Sequence, residues 1–188
     1  MDVTSLLKTV HKEAYPALSP RRPELSQAGR TILITGGSSG IGLAIAKAFA
    51  QAGAKHLIIV GRRESVNLSS ASKIRAEYPD VLVEGCNGDI GDLTSIDKLW
   101  TDLARENVHV DVLVLNAVKW SDLQTILALG RDGVWADLTL NVRSTIDFVE
   151  RFNKQNNPEK RAKVRDTPCQ GLADYSEGFG CSSHLRFS

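Results

Sequence analysis

Cysteine is scarce in this 188-residue chain, and its three occurrences, Cys86, Cys169 and Cys181, are odd in number and nowhere spaced as C-x-x-C. That pattern gives no basis for a disulfide framework or a thiolate zinc site, and Cys86 reads as a small core residue. The four histidines, His11, His56, His109 and His184, include no i, i+4 or i, i+2 pair, so no metal is expected. Charge of one sign is not in excess: a formal net charge of +1 removes any global electrostatic case for nucleic acid or an anionic membrane. Long apolar runs are absent too. The longest, around Leu57–Val60 and Val112–Leu115, fall far short of the roughly 20 residues a bilayer-crossing helix needs. The N-terminal MDVTSLLKTVHKEAYPALSP lacks the apolar core and small-residue cleavage site of a secretory leader, so a cytoplasmic location is expected.

What is present is an apolar content of 42% and a regular alternation of two periodicities. Pro16, Pro20 and Pro23 mark an N-terminal extension over 1–29, with a short helix expected over Val3–Ala14. From Arg30 onward, Thr31–Thr35 reads as a strand and the spacing of Ile41, Ile45, Ala48 and Phe49 as a helix. The unit repeats: a strand at His56–Val60, a helix at Ser70–Tyr78 closed by Pro79, and a strand at Val81–Gly85. A helix at Leu93–Arg105 N-capped by Asp92, a strand at Val110–Leu115 and a long helix at Trp135–Asn153 follow. Strands apolar at nearly every position are buried on both faces, and their alternation with helices requires a parallel sheet with right-handed crossovers. The expected fold is α/β, a Rossmann-type doubly wound parallel sheet, incomplete, with four strands ordered 3-2-1-4 over residues 30–155. Residues 156–188 carry neither period and read as an irregular, disordered or aberrant tail.

The junction of the first strand and helix carries the chemistry. In Thr35-Gly36-Gly37-Ser38-Ser39-Gly40-Ile41-Gly42, glycines let the backbone N–H groups approach a pyrophosphate, and the helix N-terminus adds unpaired donors and a positive dipole end. Ser38 and Ser39 offer hydroxyls. About twenty residues on, where a carboxylate would bind the ribose 2′-hydroxyl of NAD, the chain reads Gly61-Arg62-Arg63. A guanidinium pairs with a 2′-phosphate and a carboxylate repels it, so NADP(H) is the expected cofactor and NAD(H) the less favoured one. The alternative is a pair of solvated arginines at a strand end.

The Thr35-Gly36-x-x-x-Gly40-Ile41-Gly42 turn, Asn116-Ala117 after the fourth strand and Asn141 in the following helix together resemble the classical short-chain dehydrogenase/reductase family, over about Arg30 to Phe152. Tyr15-Pro16 and Arg22-Pro23-Glu24-Leu25 are similar to the N-terminal extension of fungal members. The resemblance implies that Gly36, Ser38, Ser39, Gly40, Ile41, Gly42, Arg62 and Arg63 bind cofactor, that Asp89 and Ile90 flank the adenine, and that Asn116 and Ala117 approach the ribose. It also implies an oxidoreductase of a small carbonyl or alcohol, with Asn141 holding a water in the catalytic proton relay. Asp89 read alone is a loop aspartate capping its own turn, and Asn141 a buried helix asparagine bonding backbone. Val118 stands where family members usually have glycine, which raises the question of crowding or a forced positive φ.

The family's proton donor is a tyrosine whose pKa, near 10 when free, is lowered by a lysine one helical turn away. No Tyr-x-x-x-Lys exists here: four residues beyond Tyr15, Tyr78 and Tyr175 stand Ser19, Leu82 and Phe179. The family's serine, which follows a fifth strand, has no counterpart either. Loss of an acid/base group alone costs about a hundredfold to ten-thousandfold in rate. The expectation is therefore a C-terminally truncated family member, inactive as written. A non-catalytic dinucleotide-binding protein and a non-functional product are the alternatives. A truncated sheet leaves the fourth strand as an open edge and the last helix with an exposed apolar face, so poor solubility or partner capture is expected. Arg151–Arg165 reads as a solvated helix end. Oligomeric state stays open. The loss of pattern after Lys163 points to a shifted frame or retained intron: reading the transcript past codon 163 is expected to return a serine and Tyr-x-x-x-Lys in one frame, and their absence from all three would refute it.

Overall fold

Four short strands form the centre of the described unit. A computed structural model describes residues 15–119, 121 and 124–155 of the chain. The strands are β1 (Thr31–Thr35), β2 (His56–Gly61), β3 (Leu82–Asn87) and β4 (Val112–Leu115), and the helices are α1 (Gly40–Gln51), α2 (Glu64–Glu77), α3 (Leu93–Arg105), α4 (Ile126–Leu138) and α5 (Ser144–Lys154). All strand pairs are parallel, in the order β3-β2-β1-β4, with Thr35 level with Val60 on one side and Leu115 on the other. This is the Rossmann-type arrangement expected from the sequence. The helix expected over Val3–Ala14 and the tail at 156–188 lie outside the described residues.

Alternation along the strands sorts the core into two layers. Ile32, Ile34, Leu57, Ile59 and Val83 face one way, onto Ala46 and Ala50 of α1 and Ala71 and Ile74 of α2. Leu33, Ile58 and Val60 face the other way, onto Leu99, Trp100 and Leu103 of α3 and Phe148 of α5. Because a strand residue points to one face and its neighbour to the other, a fully apolar strand needs helices on both faces. Each fully buried Ile or Leu contributes about 1.5–3 kcal/mol. Small residues on α1 and α2 bring those helices close: a Cβ at Gly85 of β3 would stand 2.6 Å from the Asn67 backbone of α2.

The structure moves several boundaries. α2 begins at Glu64, six residues ahead of the expected Ser70, because its outward residues are polar and its amphipathic signal is weak. β3 is Leu82–Asn87, and β4 starts at Val112 because Asp111 is occupied before the ladder: its carboxylate accepts from Thr31 N at 2.9 Å and its own N–H donates to Thr31 O at 2.8 Å. Asp92 caps α3 as expected, accepting from Thr94 N and Ser95 N at 3.2 Å each.

The single helix expected over Trp135–Asn153 is a longer compound run. α4 breaks at Gly130, whose φ of 72° is non-helical, and Thr139–Arg143 widen into a π turn before α5. The Ser144 hydroxyl bonds the Leu140 carbonyl and that of Thr145 bonds the Asn141 carbonyl, so side chains take up acceptors in the widened turn. Trp135, Leu138, Val142, Ile146 and Val149 are exposed along this run. At its end Gln155 grips Val110, two residues before β4, accepting from its N–H at 2.8 Å and donating to its carbonyl at 3.2 Å.

Thr35 joins β1 to the exit of β4. Its Oγ1 accepts from Asn116 N at 3.0 Å and Ala117 N at 3.1 Å, while Asn116 Nδ2 donates to Thr35 O at 3.1 Å. Thr35 is 1% exposed, so water is a poor substitute. Thr35→Val keeps the shape and strands two donors; at about 1–3 kcal/mol for an unsatisfied buried group, urea unfolding is expected to register a loss of about 2 kcal/mol. A loss below about 0.5 kcal/mol would contradict the role given to this hydroxyl.

Candidate functional site

Where β1 and β4 part, their connections run to opposite sides of the sheet and leave a crevice at the carboxyl ends of the strands. The cleft there has a volume of about 660 Å³, within the range of small-molecule sites. Gly36, Ser38, Ser39, Ile41 and Gly42 line it from the β1–α1 turn; Gly61, Arg62 and Arg63 from the end of β2; Gly88, Asp89 and Ile90 from the loop after β3; and Asn116, Ala117, Val118 and Lys119 from the loop after β4. Of the residues expected to bind cofactor, all but Gly40 meet around this one cavity. Gly40 instead makes the turn into α1, at a φ of +52°.

The glycines of the turn have distinct reasons. Gly36 also has a positive φ, of 67°. A Cβ at Gly42 would lie 2.2 Å from Gly36 O and 2.6 Å from Asn116 Nδ2, so the first turn of α1 is seated directly on the loop before it. The Ser39 side chain does not cap α1, and no acidic residue occupies the first helical turn. The helix-start N–H groups therefore face the cleft without a carboxylate competing for them, an arrangement that suits an anion. Gly42→Ala forces backbone apart, whereas Gly40→Ala meets nothing within 4 Å and carries only the left-handed penalty of about 1–2 kcal/mol. Thermal unfolding is expected to rank Gly42→Ala well below Gly40→Ala; the reverse order would overturn this account of the turn.

Arg62 and Arg63 are exposed at the cleft rim, and among the described residues no ion pair holds either guanidinium. Asp89 Oδ1 accepts from Gly91 N at 2.9 Å, while its N–H donates to Ser95 Oγ, also at 2.9 Å. The aspartate thus caps its own turn and lines the cleft at once. Ile90 is 9% exposed beneath it.

Asn141 lies outside the cleft lining, one residue beyond Leu140, which is part of it. Both ends of its amide are engaged by the backbone of Lys119: Oδ1 accepts from Lys119 N and Nδ2 donates to Lys119 O, each at 2.9 Å. That clamp holds the β4 loop against the π turn. Lys119 Nζ pairs with Asp137 at 2.8 Å, and with the Ser121 hydroxyl it holds the Asp137 carboxyl below its ordinary pKa. Val118 lines the cleft, and among the described residues Asn107 is the one non-glycine with positive φ, so the missing glycine costs no backbone strain there. Burial, followed by nearby carboxylates, pushes the Cys86 thiol up to about 11, which keeps it protonated at neutral pH.

Sequence reasoning missed Lys119, Leu140, Gly88 and the Val60–Gly61 strand end as lining residues. Nothing in their types marks them, since they enter through position at the ends of strands. It also missed Asn67 and Ser70, buried polar residues three apart on the inner face of α2 beside Ala71 and Ile74. Their signal was a polar pair on an otherwise apolar helix face.

Residues 30–163 match the model of the short chain dehydrogenase family, and the chain belongs to that family. A "Short chain dehydrogenase/reductase" of Claviceps purpurea is 39% identical over 111 residues, 59% of this chain and 37% of that protein. An "NADP-dependent 3-hydroxy acid dehydrogenase" of Schizosaccharomyces pombe is 36% identical over 121 residues, 64% of this chain and 42% of that protein. The crystal structure of L-sorbose reductase from Gluconobacter frateurii, complexed with NADPH and L-sorbose, superposes with a TM-score of 0.62 at 29% identity, over 73% of this chain and 50% of that one. The chain thus spans half or less of the length of each of these relatives. No helix among the described residues is long and apolar enough to cross a membrane.

Proposed function

We propose that this chain is an NADP(H)-binding member of the short chain dehydrogenase family that, as the 188 residues alone, binds cofactor without turning over a substrate. The observation carrying it is the pair Arg62 and Arg63, at the rim of the same cleft that the glycine turn opens into. Arg62 and Arg63 suit a 2′-phosphate by charge-assisted hydrogen bonding. The α1 N-terminus and the turn from Gly36 to Gly42 receive the pyrophosphate, Asp89 and Ile90 border the adenine, and Asn116 and Ala117 approach the cofactor ribose. A relative named for NADP dependence and a structural neighbour complexed with NADPH support the same cofactor.

A bound nicotinamide would supply the hydride chemistry of the family, exchange with a carbonyl or alcohol carbon. This chain's residues contribute binding and orientation to it, and Asn141 fixes the loop of Lys119 beside the site. The acid/base pair is what the sequence lacks: no tyrosine has a lysine four residues on. A protein of this family that carries the serine, tyrosine and lysine in further sequence would act on a small carbonyl or alcohol; the chain by itself binds.

Titration calorimetry of the purified chain with NADPH and NADH decides between the readings. Preference for NADPH by about tenfold or more, lost in Arg62→Asp, is expected from the loss of a charge-assisted pair. Equal affinities, or a preference unchanged in Arg62→Asp and Arg63→Asp alike, would overturn the cofactor assignment. NADPH oxidation with simple aldehydes and ketones is expected to stay at the uncatalysed rate, and clear turnover would overturn the non-catalytic reading.

A further inference from the structure

The inner face of α2 holds two buried polar side chains that the fold alone does not call for. Asn67 is 0% exposed, and its Nδ2 donates to Gly61 O at 2.7 Å and to Cys86 O at 2.9 Å, joining the carboxyl ends of β2 and β3. Gly61 O also accepts from Gly88 N at 3.0 Å, so one carbonyl gathers the β2 end, α2 and the loop that leads to Asp89. One turn further on, Ser70 is 5% exposed and its hydroxyl donates to Ser38 O at 2.8 Å, fastening the glycine turn to the same helix. Gly61 has no room for a side chain: a Cβ there would lie 2.7 Å from Asn67 Oδ1 and 3.3 Å from Ser38 Oγ. The Ser38 hydroxyl therefore lies beside the residue that precedes Arg62. Burying an amide costs more than burying a leucine unless its bonds achieve something a leucine could not. Asn67 Oδ1 has no hydrogen-bond partner among the described residues, so the amide is held by its two donated bonds alone.

We propose that Asn67 and Ser70 are positioning residues for cofactor selectivity: through α2 they hold the Ser38 turn and the Gly61-Arg62-Arg63 strand end at the separation that brings both to one 2′-phosphate. The inference deepens the NADP(H) reading and rests on it. Neither residue touches the ligand. Asn67 sets where Arg62 and Arg63 leave the sheet, and Ser70 sets where Ser38 stands opposite them. NADH shares the pyrophosphate and adenine contacts but carries no 2′-phosphate, so it loses less than NADPH when that separation changes.

The test measures Kd for NADPH and NADH on the full 188-residue chain, wild type against Asn67→Leu, Ser70→Ala and Ser70→Thr, with the melting temperature of each recorded. Asn67→Leu conserves volume and deletes the amide bonds. The expected result is a fall of about tenfold in the NADPH-over-NADH preference for Asn67→Leu, a smaller fall in the same direction for Ser70→Ala, a retained preference for Ser70→Thr, and NADH affinity within about threefold throughout. Should Asn67→Leu not fold, the Ser70 pair decides. A preference unchanged in both Asn67→Leu and Ser70→Ala, or NADPH and NADH affinities that fall together with the melting temperature, overturns the inference by making these residues merely structural. A wild-type chain that shows no preference for NADPH overturns the cofactor reading and this inference with it, so the two failures are distinguishable.

Discussion

The fold turns on one set of hydrogen bonds between β1 and the exit of β4. Thr35 Oγ1 receives the N–H groups of Asn116 and Ala117, Asn116 Nδ2 returns to Thr35 O, and Gly42 of α1 packs against Gly36 O and that same amide with no space to spare. A doubly wound sheet must open a crevice where neighbouring strands send their connections to opposite faces. Left to itself such a crevice would expose the unpaired backbone of two departing chains, and buried backbone groups without partners are costly. The Thr35 and Asn116 side chains supply those partners. They join the start of α1 and the β4 loop at the mouth of the crevice.

Everything else at the site is held at one remove from that knot. Asn141 clamps Lys119 by both backbone groups, so the β4 loop is tied to the π turn as well as to β1. Ser70 ties the glycine turn to α2, and Asn67 ties α2 to the ends of β2 and β3. In each case a short polar side chain from a helix satisfies loop backbone, which is how loops that cannot form a ladder are held in place. The apolar layers on either face of the sheet supply most of the stability, and these polar ties supply the geometry. The two functions separate cleanly: Ile32, Leu33 and Ile58 have no polar atom to offer, and Asn67, Thr35 and Asn141 bury little apolar surface.

The sheet order, its parallel sense and the helices on both faces were legible because β1 and β2 are apolar at consecutive positions and are separated by segments of helical period. The glycine turn was legible because its spacing appears between a strand and a helix. Boundaries were less so. α2 carries a polar outer face and polar residues inside, which hid its first turns. Of the run from Ile126 to Lys154 the part from Trp135 was legible as one helix, while the segment around the non-helical Gly130 and the widening at Thr139–Arg143 were not.

By itself the sequence determined which residues could meet a dinucleotide: glycines spaced G-x-x-x-G-x-G between a strand and a helix, arginines in place of an acid after β2, and no tyrosine followed by lysine at the fourth position. These are local facts of side-chain chemistry and spacing, and a chain carries them folded or not. The tertiary structure alone decided that residues as far apart as Gly36, Arg62, Asp89 and Asn116 line one cleft. It also decided that Asn141 bonds to Lys119 and not to open space, and that Asn67 and Ser70 face inward. Those outcomes depend on the register of parallel strands and on which face of each helix meets the sheet, and both are set by packing the whole sheet at once.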